Sequence, residues 1–308
     1  MFVPTIIQEM ERLIMAVKKA VKTQNEMQKK LLSLRNDAVF QLFFTRKENI
    51  EQLRLFLKAT THLTDEDLVE IEILNTKLEK KHLQDKDFIV DIRIKDASGN
   101  YTHIEMQVQN HHAFINRIVA YNSRQYSSQL SPGDKYVELK KSISIVITDF
   151  EMFDDTDDYY EYITYRRENG KIFTNAQEYY ILDLTKLPNE IIDEKEMWGA
   201  LFKAKTEEEL RALMAEFDEM NEAGEKLLAL SEDKEAQAIA RAREESQWAW
   251  KHTLYHTEKY GRKEGRKIGI EQRSLEIAKN LINIGVSMND IINSTGLSEE
   301  EILKLKSK

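Results

Sequence analysis

The sequence predicts an α/β fold whose core runs helix, three strands, helix, strand and continues into a helical extension. Three observations carry that prediction. Residues 88–109 alternate apolar and polar side chains around a turn, Asp96-Ala97-Ser98-Gly99-Asn100, as the two arms of a β-hairpin do. Residues 113–130 place Phe114, Ile118 and Tyr121 at i, i+4 and i+7, one face of a helix, before Ser131-Pro132-Gly133 ends it. Residues 142–148 read SISIVIT, too short and too β-branched for a helix, and so predict a buried strand.

The remaining elements follow in order. Ile6, Met10, Leu13 and Val17 have helical spacing, so residues 1–31 form an N-terminal helical segment suited to packing or partner contact. Asn36 and Asp37 are an N-cap signal ahead of Val39, Phe40, Phe43 and Phe44, which starts the first core helix. Val69, Ile71 and Ile73 alternate with polar residues, a strand over 69–75. The hairpin arms run over 88–95 and 101–109. Two more strands, over 159–166 and 178–184, flank a turn at Glu168-Asn169-Gly170. No proline follows Pro188, and residues 194–245 are rich in Glu, Lys, Ala and Leu, a helical composition. A boundary near 190 therefore divides the chain into 1–31, 32–190 and 191–308. The last segment closes on a small helix-turn-helix pattern through Leu281, Met288, Ile292 and Thr295-Gly296-Leu297-Ser298.

Composition narrows the function. A chain of 308 residues with 41% apolar and 32% charged side chains supplies a solvated surface and cores for about two domains. No apolar run approaches a membrane span, and Glu9, Glu11 and Arg12 interrupt any secretory h-region, so the expectation is a cytoplasmic protein with no membrane partner. The absence of cysteine excludes disulfides, thiolate metal sites and cysteine nucleophiles. A net charge of −9 argues against a passive, uniformly basic nucleic-acid binder. Residues 111–141 nevertheless carry Arg117, Arg124, Lys135, Lys140 and Lys141 against only Asp134 and Glu138.

That basic stretch directly follows two carboxylates. If the five-residue turn sets Lys95 opposite Tyr101, paired residue numbers sum to 196 and Asp91 falls opposite Glu105. Val90, Ile92 and Ile94 then share one face with Thr102, Ile104 and Met106, whereas Asp91 and Arg93 share the other with His103, Glu105 and Gln107. Opposed carboxylates repel by up to about 1 kcal/mol, and a divalent cation turns that repulsion into a site. The alternative is a hairpin with one face simply turned to solvent.

Asn36-Asp37 with Phe40, Val90-Asp91-Ile92-Arg93, Ile104-Glu105-Met106-Gln107, Arg117 with Tyr121, residues 126–130 (YSSQL) and residues 143–150 together resemble the PD-(D/E)XK nuclease superfamily, and within it the recombination-promoting nuclease and transposase family. The resemblance covers residues 32–190, with a looser likeness in the helical tail. It implies a restriction-endonuclease-like αβββαβ core and metal-dependent hydrolysis of DNA phosphodiester bonds, linked to recombination or mobile elements. The ion it implies is Mg²⁺, with Mn²⁺ able to substitute, held by Asp91 and Glu105 as hard oxygen ligands. The superfamily's third catalytic position is usually lysine; here it is Gln107, an amide that can orient water but brings no charge, and no proline precedes Asp91. Asp37 has two open readings, a third metal ligand or a plain helix cap. Arg117, Tyr121 and Arg124 have two as well, a clamp on DNA phosphates or a solvated basic face with Tyr121 in the core.

Other features point less clearly to chemistry. His252 and His256 have the spacing of a metal pair but lack the intervening glutamate of HExxH, so they read as a helix-surface pair. The final helix opens Ser298-Glu299-Glu300-Glu301, which repels phosphates and favours packing. Gly261, Gly265 and Gly269 recur beside Arg262, Lys263, Arg266 and Lys267, as in a solvated connector or a weak basic contact. Two alternatives to an enzyme remain open: a nuclease-fold module for nucleic-acid or protein interaction with little catalysis, and a scaffold that forms a homo-oligomer through its helical segments.

Overall fold

A computed structural model describes residues 31–78, 88–110 and 113–306. The expected N-terminal helical segment, residues 1–31, lies outside the described residues except for Leu31. The chain forms two compact units, one ending at Arg243 and the other comprising Glu244–Lys308.

The first unit opens with helices α1 (Asp37–Thr45) and α2 (Ile50–Thr60). Strands β1 (Ile71–Ile73), β4 (Ile92–Asp96), β5 (Tyr101–Gln107), β6 (Ser142–Thr148), β7 (Tyr160–Arg166) and β8 (Ile172–Asp183) form one sheet in the order β1-β4-β5-β6-β8-β7. β5 and β6 pair in parallel, as do β6 and β8; the other neighbours are antiparallel. The parallel step from β5 to β6 needs a crossover, which helix α3 (Phe114–Ser127) provides. All seven residues of β6 are buried, because helices cover both faces of the sheet. The predicted helix, three strands, helix, strand order is present as α1, β1-β4-β5, α3 and β6, with α2, a helix the sequence reading did not assign, inserted between α1 and β1.

The first hairpin arm departs from the sequence reading. It does not run unbroken over 88–95: β3 (Phe88–Ile89) pairs instead with β2 (Lys77–Leu78) in a separate ladder, and β4 begins at Ile92. The second arm stops at Gln107 rather than 109. The 69–75 strand shortens to 71–73, since Asp67–Val69 coils into a 3₁₀ turn.

Beyond residue 190, helices α4 (Glu194–Lys203), α5 (Glu207–Glu216) and α6 (Asn221–Glu232) precede α7 (Lys234–Asn283). Asp193 and Glu196 close a capping box at the start of α4. Its Trp198 and Phe202 enter an aromatic cluster with Phe40, Phe44 and Phe56, with the Phe44 and Trp198 rings 5.8 Å apart. Each such burial contributes about 2–3 kcal/mol, so α4 is part of the core that holds the sheet's helical face. Gly224 on α6 lies so close to Met214 of α5 that an added Cβ would collide with its side chain. Gly224→Ala is expected to cost about 1–3 kcal/mol through overpacking, read as a lowered denaturant midpoint with unchanged slope.

In the second unit, the end of α7 packs with α8 (Met288–Thr295) and α9 (Glu299–Lys306) around Ala278, Ile291, Leu297 and Ile302. Gly296 adopts φ 67°, the left-handed conformation that ends α8 at the predicted turn.

Candidate active site

The hairpin register is the one the turn predicts: Lys95 faces Tyr101, and Ile92 faces Ile104. Asp91 would occupy the next rung opposite Glu105, but the ladder stops one residue short. A further rung would pair Val90 with Met106. Instead the Asp91 carboxylate accepts a hydrogen bond from the Met106 N–H at 2.8 Å, replacing a backbone acceptor by a side-chain one. This bond turns Asp91 back onto β5 beside Glu105.

The face carrying Glu105 does not meet solvent. Helix α3 covers it, Glu105 is 6% exposed and His103 fully buried, so the solvent-facing alternative for this side of the hairpin does not hold. Burial, more than any neighbouring charge, raises Asp91 to about 7, with the nearby Asp37 adding to the rise and the Met106 N–H, Arg243 and Arg117 opposing it. Glu105 is raised well above the carboxylate range by burial first and by Asp91 second. Its Oε1 is buried without a hydrogen-bond partner, and its Oε2 lies 3.9 Å from Arg117 Nη2.

Arg117, from the first turn of α3, donates through Nη2 to Gln107 Oε1 at 2.5 Å, with its guanidinium 5.0 Å from the Phe114 ring and 6.0 Å from the Tyr121 ring. Tyr121 stands at the same site: burial and the charge of Glu105 raise its phenol. Arg124, two turns along α3, is half-buried. The Gln107 oxygen is thus committed to a guanidinium rather than free to receive a water's proton.

Asp37 is not the cap of α1. Asn36 is, accepting from the Ala38 and Val39 N–H groups, while Asp37 occupies the first helical position. Its carboxylate grips Arg243 of α7, which donates from Nε at 2.7 and 2.9 Å and more closely from Nη2. Asn36 Nδ2 donates to the Ala240 carbonyl, which brings this turn of α7 alongside. Among the described residues no three His, Asp or Glu side chains are placed to hold a metal ion together. The structure brings Asp91 and Glu105 together and directs Asp37 onto Arg243. The sequence reading missed Arg243, which is 206 residues from its partner and carries no local motif.

A polar network fixes α3 to the sheet, with Arg93 Nε donating to Gln125 Oε1 at 3.2 Å. Gln125 Nε2 donates to the Tyr101 carbonyl at 3.1 Å and to Ser142 Oγ at 3.0 Å, and faces His103 Nδ1 at 3.4 Å. With Nδ1 accepting, the ring proton belongs on Nε2, 2.9 Å from Ser144 Oγ. Burial holds His103 neutral, lowering it to about 3. The unfolded chain binds that proton near 6.5, so this contribution to stability is complete above about 6.5 and is lost as pH falls toward 3, at about 1.4 kcal/mol per pH unit. The raised Asp91 and Glu105 carboxylates shift stability the opposite way over the same range, so the loss is read as a difference: in urea titrations from pH 7 to 4 the stability of the wild type relative to His103→Gln should fall at about that rate.

The pair also suits a divalent cation. An orphaned buried carboxylate oxygen beside a second raised carboxylate is a hard-oxygen donor set whose burial the nearby Arg117 and Arg243 do not offset, and a bound cation would relieve both burial and mutual repulsion. Residues 34–257 match a family described as PD-(D/E)XK nuclease family transposase. Neither curated proteins nor solved structures gave a significant match.

Proposed function

The chain belongs to the PD-(D/E)XK nuclease family transposases, and we propose that it is a metal-dependent endonuclease that hydrolyses DNA phosphodiester bonds at Asp91 and Glu105. Its mixed six-stranded sheet with helices on both faces is a restriction-endonuclease-like core. The observation that carries the proposal is the buried, unpartnered Glu105 Oε1 beside the raised Asp91 carboxylate.

Asp91 and Glu105 would hold Mg²⁺, or Mn²⁺ in its place. When bound, the ion supplies Lewis-acid polarisation of the phosphoryl oxygen and acidifies the attacking water. Met106 N–H holds the Asp91 carboxylate in its orientation, and α3 excludes bulk water from Glu105. Gln107 aims Arg117, whose guanidinium brings the positive charge that the amide lacks to the charge developing on phosphate. Tyr121 and Arg124 extend that face of α3 toward the DNA backbone. Asp37 serves as a further ligand only if it leaves Arg243.

No described helix is long and apolar enough to cross a membrane. A cytoplasmic enzyme acting in recombination or on mobile elements fits a DNA substrate. Nicking of supercoiled plasmid should require Mg²⁺ and vanish in Asp91→Ala and Glu105→Ala. Cleavage that survives both substitutions rules this site out. The second reading, a DNA-binding module with little catalysis, draws on the Asp37–Arg243 pair and the Gln107–Arg117 bond. Tight DNA binding with no metal-dependent nicking would favour it.

A further inference from the structure

Helix α7 carries a feature that the carboxylate site does not use. Between Trp248 and Ile270 it bears Lys251, Lys259, Arg262, Lys263, Arg266 and Lys267 against Glu258 and Glu264, a balance of +4 in a chain of −9 overall. At about 100° per residue, Lys259, Arg262, Lys263, Arg266 and Lys267 fall within one half of the helix, and Glu264 and Glu271 fall on the other.

The same half carries rings. Trp248 is 67% exposed, Tyr255 59% and Tyr260 69%, so these are not core residues. Trp248 stacks on His252 at 5.2 Å, His252 lies 4.3 Å from His256, and His256 lies 6.4 Å from Tyr260. They form a run of rings at successive helical turns. Lys259 Nζ sits 5.7 Å from the Tyr255 ring, at the junction of the aromatic and basic parts. From Trp248 to Lys267 the stripe is about 28 Å long, enough for several nucleotides.

We propose that this stripe of α7 is a docking surface for single-stranded DNA. Charge complementarity selects the occupant. A second copy would bring two +4 segments together, whereas a phosphate backbone is neutralised by them. Exposed rings favour unpaired bases, because duplex stacking hides the base faces that a ring can cover. The proposal takes DNA as substrate from the nuclease reading but does not involve its carboxylates.

The test is fluorescence anisotropy of a labelled oligodeoxythymidine with the full chain, in EDTA so that nothing is cut. Lys263→Glu/Arg266→Glu/Lys267→Glu should weaken binding at least tenfold and reduce the salt slope by about 2, at roughly 0.7 per lost phosphate contact. Lys47→Glu/Lys171→Glu/Lys205→Glu makes the same charge change at exposed positions elsewhere and should stay within threefold of wild type. Trp248→Ala/Tyr260→Ala should weaken binding at least fivefold with the salt slope unchanged. Circular dichroism checks that each variant keeps its helix content. Equal losses from both charge triples, no loss from the α7 triple or the ring variant, or tighter binding of a hairpin duplex than of the single strand would overturn the proposal. So would a fall in sedimenting mass of the α7 triple with DNA affinity intact, which would give the stripe to a second copy. Asp91→Ala is assayed for Mg²⁺-dependent nicking alone. Loss of nicking in that variant beside unaltered binding by the α7 triple would leave the nuclease reading standing and remove this one.

Discussion

Asp91→Asn should lower metal-dependent plasmid nicking about a thousandfold or more while making the protein harder to unfold at pH 8. The loss follows from removing a charged oxygen ligand, since several kcal/mol of charge stabilisation at about 1.4 kcal/mol per factor of ten amounts to three or more decades. The gain has a separate origin. Asp91 is raised to about 7 in the folded chain by burial, with the charge of Asp37 adding to the rise, against an ordinary value of 3.8. A folded-state value above the unfolded one means that folding is unopposed below about 3.8 and progressively penalised up to about 7. Above that the penalty is complete, and asparagine removes it while still accepting from the Met106 N–H. The expected gain at pH 8 is about 1–3 kcal/mol, several degrees in the unfolding midpoint, shrinking toward zero near pH 4. Calorimetric melts at pH 8 and pH 4, run beside the nicking assay, check both halves. Lost activity with unchanged stability at pH 8 would mean that Asp91 is not under the strain described.

Arg117→Ala should reduce the single-turnover cleavage rate about a hundredfold with a small effect on DNA affinity. A guanidinium that acts on charge developing in the transition state lowers kcat when removed, whereas a clamp acting equally in ground and transition states raises KM and leaves kcat alone. Arg117→Lys should recover about a tenth of the rate, because a point cation replaces the charge but not the hydrogen-bond geometry. Gln107→Ala should cost about tenfold, since it removes the 2.5 Å bond that aims Arg117 rather than the cation itself. The double variant should cost no more than Arg117→Ala alone, as expected of residues acting as a unit. Additive losses would assign Gln107 a role of its own, such as placing water.

The register of the hairpin was legible from local chemistry. The turn around Gly99, with φ 87°, and strict alternation set Lys95 against Tyr101, and both follow from residues within twenty positions of each other. The strand of residues 142–148 and the turn at Gly296 were equally local. What escaped the sequence depends on contacts between distant segments. The break at Val90–Asp91 comes from a side-chain carboxylate outcompeting a backbone carbonyl for one N–H, which no periodicity reports. The burial of His103 and Glu105 depends on α3 lying over the polar face of β5. Alternation alone cannot distinguish a face under a polar helix from a face under water. The Asp37–Arg243 pair joins α1 to α7 across most of the chain, and either residue alone reads as an ordinary surface charge.

The central claim is that Asp91 and Glu105 share one cation, and the most direct measurement is an anomalous difference map from crystals soaked in Mn²⁺. The account predicts a single strong peak about 2.1 Å from an Asp91 carboxylate oxygen and from Glu105 Oε1, absent from Glu105→Gln crystals treated identically. A map with no peak between those two carboxylates, or with the ion bound elsewhere while they keep their present positions, would contradict it.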